Sequence, residues 1–153
     1  MSATDVDTLQ NINDLMGGSA GDLLVGDAFS NRLSGNGGKD TLTGGDGKDY
    51  FVFGSAITAT SADLITDFVR GQDRIEISKA VMPGIAKLGT LASSAFYAAA
   101  GAKKAHDSSD RIIYDKSSGK LYYDSDGKGG AAAIHFATLT DKPLIGASDF
   151  LIV

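Results

Sequence analysis

The chain has 153 residues and a formal net charge of −5, so one domain or two small modules are expected, without the basic patch of a nucleic-acid groove. The absence of cysteine excludes disulfides, thiolate metal sites and cysteine nucleophiles. No apolar run is long enough to predict a membrane span. Of the 19 acidic residues only Glu76 is a glutamate, and this preference for the shorter carboxylate indicates ligation or turn capping close to the backbone.

The first third of the chain repeats every nine residues. The repeats are segments 8–16, 17–25, 26–34, 35–43 and 44–52. The sixth position holds Asn13, Asp22, Asn31, Asp40 and Asp49, and the eighth holds Leu15, Leu24, Leu33, Leu42 and Phe51. A flexible linker would also be rich in glycine and aspartate, but it has no reason to keep an apolar residue at every eighth position. We therefore expect a repeated, packed structure.

Each repeat resembles the pattern G-G-x-G-x-D-x-U-x, the calcium-binding nonapeptide of RTX proteins. Glycines at the first, second and fourth positions are expected to allow positive φ in a tight turn. The three residues after the aspartate are expected to form a short strand whose middle side chain points inward. Two repeats then make one coil of 18 residues, which stacks Asp22 over Asp40 and Asn31 over Asp49.

Stacked loops of this kind offer carboxylate and carbonyl oxygens to a hard cation such as Ca²⁺. The predicted calcium ligands are Gly17, Ser19, Asp22, Gly26, Ala28, Asn31, Asn36, Gly38, Asp40, Gly45, Gly47, Asp49, Asp63 and Asp67. Ala20 and Phe29 stand where the fourth glycine is usual, and a bulky residue at positive φ would be strained by about 1 kcal/mol. Asn31 also leaves its loop pair with one carboxylate fewer, so we expect the weaker site there.

The chain changes character after the last repeat. The alternation of apolar residues within 64–78 predicts a strand. Asp63, Asp67 and Asp73 fall near the next stacked loop, because position 67 lies 18 residues after Asp49. They either complete a last calcium site or serve as turn and cap residues around the strand, and the sequence leaves both interpretations open.

The later elements are a predicted helix and predicted strands. A short helix is expected to begin at Thr90 or Ser93. Segments 111–115 and 120–124 predict the two strands of a hairpin, and segment 131–139 predicts a third strand.

Two further groups of polar residues are interpreted as structural and not as functional. The segment from Asp124 to Gly127 resembles the start of an EF-hand loop, but no glutamate follows at its twelfth position. A hairpin turn is therefore favoured over an additional ion at Asp124 and Asp126. His106 and His135 have no HExxH motif or serine–histidine–aspartate arrangement around them, so they are interpreted as surface and strand residues and not as catalysts.

Residues 8–153 resemble the C-terminal RTX region of serralysin-type metalloproteases and of other bacterial proteins exported by type I secretion. The matching segments are the nonapeptides, GGDGKDYFVF, ADLITDF, GQDRIEIS, DRIIYD and KLYYDSDG. The resemblance implies an all-β fold, with a right-handed, calcium-stapled parallel β-roll over residues 8–54 and a β-rich C-terminal cap with a short helix over residues 55–153. It also implies Ca²⁺ as cofactor, a type I exporter as partner, and secretion to the extracellular space.

The end of the chain resembles the family's uncleaved export signal, an acidic residue followed by hydrophobic residues. The matching residues are Asp149, Phe150, Leu151, Ile152 and Val153. A final strand packed on the core is compatible with the same residues. Met1 to Gln10 contain neither a basic n-region nor an apolar h-region, so no N-terminal signal peptide is predicted.

The sequence predicts a binding module and not an enzyme, because it offers no convergent set of catalytic groups. The first hypothesis is a calcium-binding RTX module that folds after export. The alternative is the supporting domain of a larger secreted enzyme or adhesin, whose active part would lie upstream as a passenger domain. Because Met1 almost directly precedes the repeats, we expect a C-terminal fragment or a small stand-alone RTX protein.

Overall fold

The computed structural model describes residues 6–7 and 13–153, and residues 8–12 of the first predicted repeat lie outside the described residues. The strands of the first third are β1 (Val6–Asp7), β2 (Asp14–Met16), β3 (Leu23–Val25), β4 (Arg32–Ser34), β5 (Thr41–Thr43) and β6 (Tyr50–Phe53). The later strands are β7 (Asp63–Ile65), β8 (Arg74–Ile77), β9 (Gly89–Thr90), β10 (Phe96–Ala99), β11 (Ile112–Asp115), β12 (Lys120–Tyr123), β13 (Ile134–Leu139) and β14 (Phe150–Ile152).

Successive strands of the repeats alternate between two sheets. β1, β3 and β5 pair in parallel in one sheet, and β2, β4 and β6 pair in parallel in the other. Paired residues of neighbouring coils are one coil apart, as Leu15 with Leu33 and Leu24 with Leu42. The fold is an all-β parallel β-roll, and the prediction from the repeat pattern is confirmed.

The eighth residue of each repeat points between the two sheets. Leu33, Leu42 and Phe51 are fully buried, and Leu15 is nearly so. The ring of Phe68 extends this column, with its centroid 6.0 Å from that of Phe51. Burial of each such side chain contributes roughly 1.5–3 kcal/mol, so this column contributes substantially to the stability of the stacked coils.

Both sheets continue beyond the repeats. β7 pairs in parallel with β5, and β8 pairs in parallel with β6. The connection 54–62 between β6 and β7 is longer than a repeat loop. Neither sheet is interrupted where the roll of 8–54 was expected to end, and the division into two domains stays a prediction.

The first sheet is completed by the cap strands. Its order in the described chain is β1-β3-β5-β7-β13-β12-β11-β10. β11 and β12 form an antiparallel hairpin, and β13 is antiparallel to β12 and parallel to β7. The predicted hairpin and third strand are therefore confirmed, and β13 joins the cap to the roll.

The second sheet ends with the last residues of the chain. Its order in the described chain is β2-β4-β6-β8-β14-β9, so β14 lies between two other strands. β14 is parallel to β8 and antiparallel to β9. Phe150 and Ile152 are buried in the core. The C-terminal segment is thus an internal strand of the folded protein.

The predicted short helix is reduced to one 3-10 turn, Ser93–Ala95. The chain then enters β10, which pairs with β11 along its whole length. The Phe96 ring packs at 5.6 Å from the Phe150 ring. These long-range contacts outweigh the helix propensity of the alanine-rich segment. In the described part of the chain, no helix has the length and apolar character needed to cross a membrane.

Candidate functional site

The loops between the repeat strands form two stacks. In one, the backbone N–H of Asp22 donates to Asp40 Oδ1 at 2.9 Å. In the other, the backbone N–H of Asn31 donates to Asp49 Oδ1 at 2.8 Å. The structure therefore brings together both pairs predicted from the spacing of 18 residues. The first stack comprises loops 17–22 and 35–40, and the second stack comprises loops 26–31 and 44–49.

Each stack continues into the cap through a further aspartate. The N–H of Asp40 donates to Asp63 Oδ1, and the N–H of Asp49 donates to Asp73 Oδ1, both at 3.0 Å. These partners lie 23 and 24 residues apart, because the connection between β6 and β7 is longer than a repeat loop and, for Asp49 and Asp73, so is the connection between β7 and β8. The expectation that position 67 stacks on Asp49 is therefore wrong, and Asp73 occupies that place.

Asp73 is one of the three aspartates that the sequence left open between a last calcium site and a turn cap, and it is absent from the list of predicted ligands, although the sequence carries a further signal for it. Residues 71–75 repeat the G-x-D-x-apolar pattern of residues 47–51. The two segments enter paired strands in register, with Tyr50 opposite Arg74. A search for this short pattern without the nine-residue period would have identified Asp73 as the partner of the last repeat.

The carboxylates of Asp67 and Asp63 both accept hydrogen bonds from the backbone of neighbouring loops. The N–H groups of Gly44 and Gly45 donate to the two carboxylate oxygens of Asp67 at 2.9 and 2.8 Å. Asp63 accepts the N–H of Asp40. These contacts match the turn-and-cap interpretation of the sequence, and the role of both aspartates as ligands stays a prediction.

Two carboxylate oxygens in the stacks are buried without a hydrogen-bond donor. They are Oδ2 of Asp40 and Oδ2 of Asp49, and no other side-chain atom of the described residues shares this state. Both residues have 0% exposure. A buried carboxylate oxygen without a donor is costly, and a cation held against it removes that cost. A donor set made only of oxygens fits a hard cation such as Ca²⁺.

Burial and mutual repulsion raise the pKa values of the stacked aspartates. The pKa of Asp49 is raised to about 6, first by burial and then by the charges of Asp73 and Asp67. The pKa of Asp63 is raised to about 7, first by burial and then by the charge of Asp40. Burial also raises the pKa of Asp40. Each stack therefore carries more negative charge than its surroundings stabilise, and a bound cation would correct this.

The first glycine of a repeat makes room for a carboxylate. A Cβ at Gly35 would overlap Asp40 Oδ2, and a Cβ at Gly44 would overlap Asp49 Oδ2. In the described part of the repeats, the residues with positive φ are Asn36, Gly38, Gly45 and Gly47. The expectation of positive φ at the first position is therefore wrong, and close approach is the reason for these glycines.

The two positions that depart from the repeat pattern are not strained. Neither Ala20 nor Phe29 has a positive φ. Asp27 instead forms a local turn in which its Oδ1 accepts the N–H of Phe29 at 2.9 Å. The predicted strain at Phe29 is wrong, because the backbone of this loop does not enter the left-handed region there.

Three of the predicted carbonyl ligands accept hydrogen bonds within the protein. Gly17 O accepts the Asn36 side-chain amide at 2.8 Å, and Asn36 O accepts the Ser55 hydroxyl. Gly47 O accepts the side-chain amide of Gln72. A carbonyl oxygen has two lone pairs, so each can still face a cation. The other predicted carbonyl positions, all on loops of the two stacks, are Ser19, Gly26, Ala28, Gly38 and Gly45.

Acidic groups of the cap serve as turn caps. His106, Asp107 and Asp110 offer ligand atoms within 4.8 Å of one another. Asp110 Oδ2 accepts the backbone N–H groups of the other two, which explains why the three side chains lie together. Asp124 and Asp126 accept backbone N–H groups of their own loop. These contacts match the hairpin-turn interpretation of that loop, and the choice between a turn and an additional ion stays a prediction.

The predicted export signal belongs to the folded core. Asp149 Oδ2 accepts the N–H of Gly146 at 2.8 Å and lies 3.8 Å from Arg70 Nε. Phe150 to Ile152 form β14, Asp149 ends the 3-10 turn before it, and Val153 follows it and is half exposed. The role of these five residues in export stays a prediction.

Comparison with known proteins identifies the family of the chain. A family model described as the peptidase M10 serralysin C-terminal region matches residues 5–114. The match covers the roll and continues into β11. Among curated proteins, none matches the chain significantly. Because the matched segment is well over half of the chain and includes the stacked repeats, the chain belongs to the peptidase M10 serralysin C-terminal family.

Proposed function

We propose that the chain is a calcium-binding RTX module that folds on binding calcium after export and carries a type I secretion signal at its C-terminus. The observation that carries the proposal is the pair of buried oxygens, Asp40 Oδ2 and Asp49 Oδ2, each in a stack of aspartates. Membership of the serralysin C-terminal family supports it, because RTX repeats are typical of this region.

The residues of each stack would hold one ion. In the first stack, Asp22 and Asp40 provide two carboxylates beside the loop carbonyls. In the second stack, Asn31 and Asp49 provide one carboxylate and one amide oxygen. When bound, Ca²⁺ supplies the positive charge that balances these oxygens.

Without that charge, the chain's own residues oppose folding. The aspartates lose hydration on burial and also repel one another, and both effects raise the pKa values of Asp49 and Asp63. The glycine-rich loops are also costly to order. Binding and folding are then one equilibrium. Extracellular calcium modules bind with Kd values of about 10⁻⁴ to 10⁻³ M, so the repeats remain unfolded inside a cell and fold outside it.

The proposed location and partners follow from this scheme. The module is secreted and extracellular, and a type I exporter recognises residues 149–153 while the chain is unfolded. The module itself is not catalytic. The alternative, a supporting domain of a larger secreted enzyme or adhesin with an upstream passenger domain, is favoured by the family, which is the C-terminal region of serralysin-type peptidases.

Calcium-dependent folding is tested on the full chain by circular dichroism and amide hydrogen exchange, in chelator and in about 5 mM calcium. We expect the strand signal, and the protection of residues 41–43 in β5, to appear only with calcium. Magnesium at the same concentration is the control, because its smaller size and strict octahedral geometry suit these loops poorly. Identical spectra in chelator and in calcium would refute the proposal.

A further inference from the structure

The outer face of the second sheet carries an ion pair that reaches across a strand. Glu76 in β8 is the single glutamate of the chain, and it is buried at 4% exposure. The guanidinium of Arg32 in β4 donates twice to its carboxylate, from Nη1 to Oε2 at 2.5 Å and from Nη2 to Oε1 at 2.7 Å. β6 lies between these two strands. Bidentate pairs of this kind are strong and geometrically specific.

The surroundings of Glu76 make it dependent on Arg32. In the sheet register, Glu76 lies between Val52 of β6 and Leu151 of β14, whose apolar side chains cannot donate a hydrogen bond. Arg74 lies two residues before Glu76, on the same face of β8, but makes no salt bridge among the described residues. A buried carboxylate that loses its cation is strongly destabilising. β8 can therefore bury Glu76 only when Arg32 is in place.

The two partners belong to distant parts of the chain. Arg32 directly follows Asn31, the last residue of a loop in the second stack, and its backbone N–H donates to Asn13 O at 2.6 Å. Glu76 is in register with Leu151 of the C-terminal strand. The ion pair thus joins an early coil of the roll to β8, the strand that pairs in parallel with the C-terminal strand β14.

We propose that the Arg32–Glu76 pair couples the ordering of the second stack to the burial of the C-terminal strand β14. The proposal rests on the proposed function, in which calcium orders the loop that precedes Arg32. While that loop is unordered, Arg32 is not held across β6 and the carboxylate of Glu76 has no partner. β8 then remains hydrated, and β14 loses the strand against which it pairs. Calcium bound at the roll thereby controls whether the C-terminal residues are buried.

The test compares wild type with Arg32→Met, with the double variant Arg32→Met/Glu76→Met, and with Arg74→Met as the matched control. Amide hydrogen exchange of residues 150–152 reports the C-terminal strand, and that of residues 41–43 reports the roll. In saturating calcium, Arg32→Met should lower the protection of residues 150–152 about tenfold or more relative to residues 41–43. The double variant should restore most of this protection, because paired apolar side chains replace a buried ion pair well. Arg74→Met should change neither.

Unchanged protection of residues 150–152 in Arg32→Met, or a double variant no better than the single one, would overturn the coupling. If Arg32→Met does not fold, recovery of folding in the double variant supports the proposal, and its failure to fold contradicts it. A wild-type chain that folds equally without calcium would refute the proposed function and with it the calcium control of β14, whereas the coupling through Arg32 and Glu76 is still measured by the same four proteins at one calcium concentration.

Discussion

At the scale of single residues, the glycines of loop 35–40 differ in how much space surrounds their Cα atoms. Gly35 has an ordinary negative or extended φ, yet a Cβ there would overlap the buried carboxylate of Asp40. Gly37, two residues later, would place a Cβ 3.5 Å from the Cα of Ser19, which is an ordinary contact. The pattern G-x-G alone does not separate these two roles, whereas the distances do.

Gly35→Ala and Gly37→Ala form a matched pair that tests this difference. Gly35→Ala should destabilise the calcium-bound chain by about 1–3 kcal/mol, because the added methyl displaces the Asp40 carboxylate. Gly37→Ala should change stability by less than about 0.5 kcal/mol. Urea unfolding in saturating calcium measures both. Equal losses in the two variants would contradict the assignment of Gly35 to close approach.

At the scale of elements, the two stacks differ in the side chains that their loops bring together. The first stack brings together Asp22 and Asp40, and the second brings together Asn31 and Asp49. The side chain of Asn31 is buried, and its Oδ1 accepts the N–H of Asp27 at 2.9 Å. An aspartate at position 31 would keep this acceptor and add a charge. At this position the two stacks therefore differ in charge.

Two isosteric substitutions should move the calcium requirement in opposite directions. Asn31→Asp should lower the calcium concentration at half-folding, and Asp22→Asn should raise it, because ligand charge tunes calcium affinity. Calcium titrations followed by circular dichroism measure the midpoints. A shift in the same direction for both variants would show that the two loops do not face the same kind of ion.

At the scale of the whole molecule, the predicted export signal and the hydrophobic core use the same residues. Deleting residues 149–153 would remove β14 and the buried Phe150 along with any signal. Val153 is the better probe because it is 50% exposed, and Leu144, another apolar cap residue, is 67% exposed and lies outside the predicted signal. Substitutions at these two exposed positions therefore test the export signal without altering the stability of the fold.

Val153→Ser should reduce secretion of a fused cargo through a matching type I exporter several-fold, whereas Leu144→Ser should not. Both variants should unfold in urea at the wild-type midpoint, because exposed substitutions change stability by less than about 0.5 kcal/mol. Secreted and cell-retained cargo are quantified for each variant. Equal secretion of the two would leave the last residues with a structural role alone.

The nine-residue period by itself determined the roll. It specified the coil of two repeats, the inward Leu33, Leu42 and Phe51, and the pairing of Asp22 with Asp40, because turn and strand are local and repeat without interruption. The hairpin of β11 and β12 was equally local, since four residues connect its strands.

The tertiary structure, and not the nine-residue period, decided which aspartate follows Asp49, because the irregular connections after β6 change the register by an amount that no repeat specifies. It also made residues 96–99 a strand, since pairing with β11 outweighs local helix propensity. The bond from Arg32 to Glu76 depends on three strands lying side by side. These two residues are 44 positions apart in sequence and meet only when β4, β6 and β8 lie side by side, so no local sequence pattern predicts their contact.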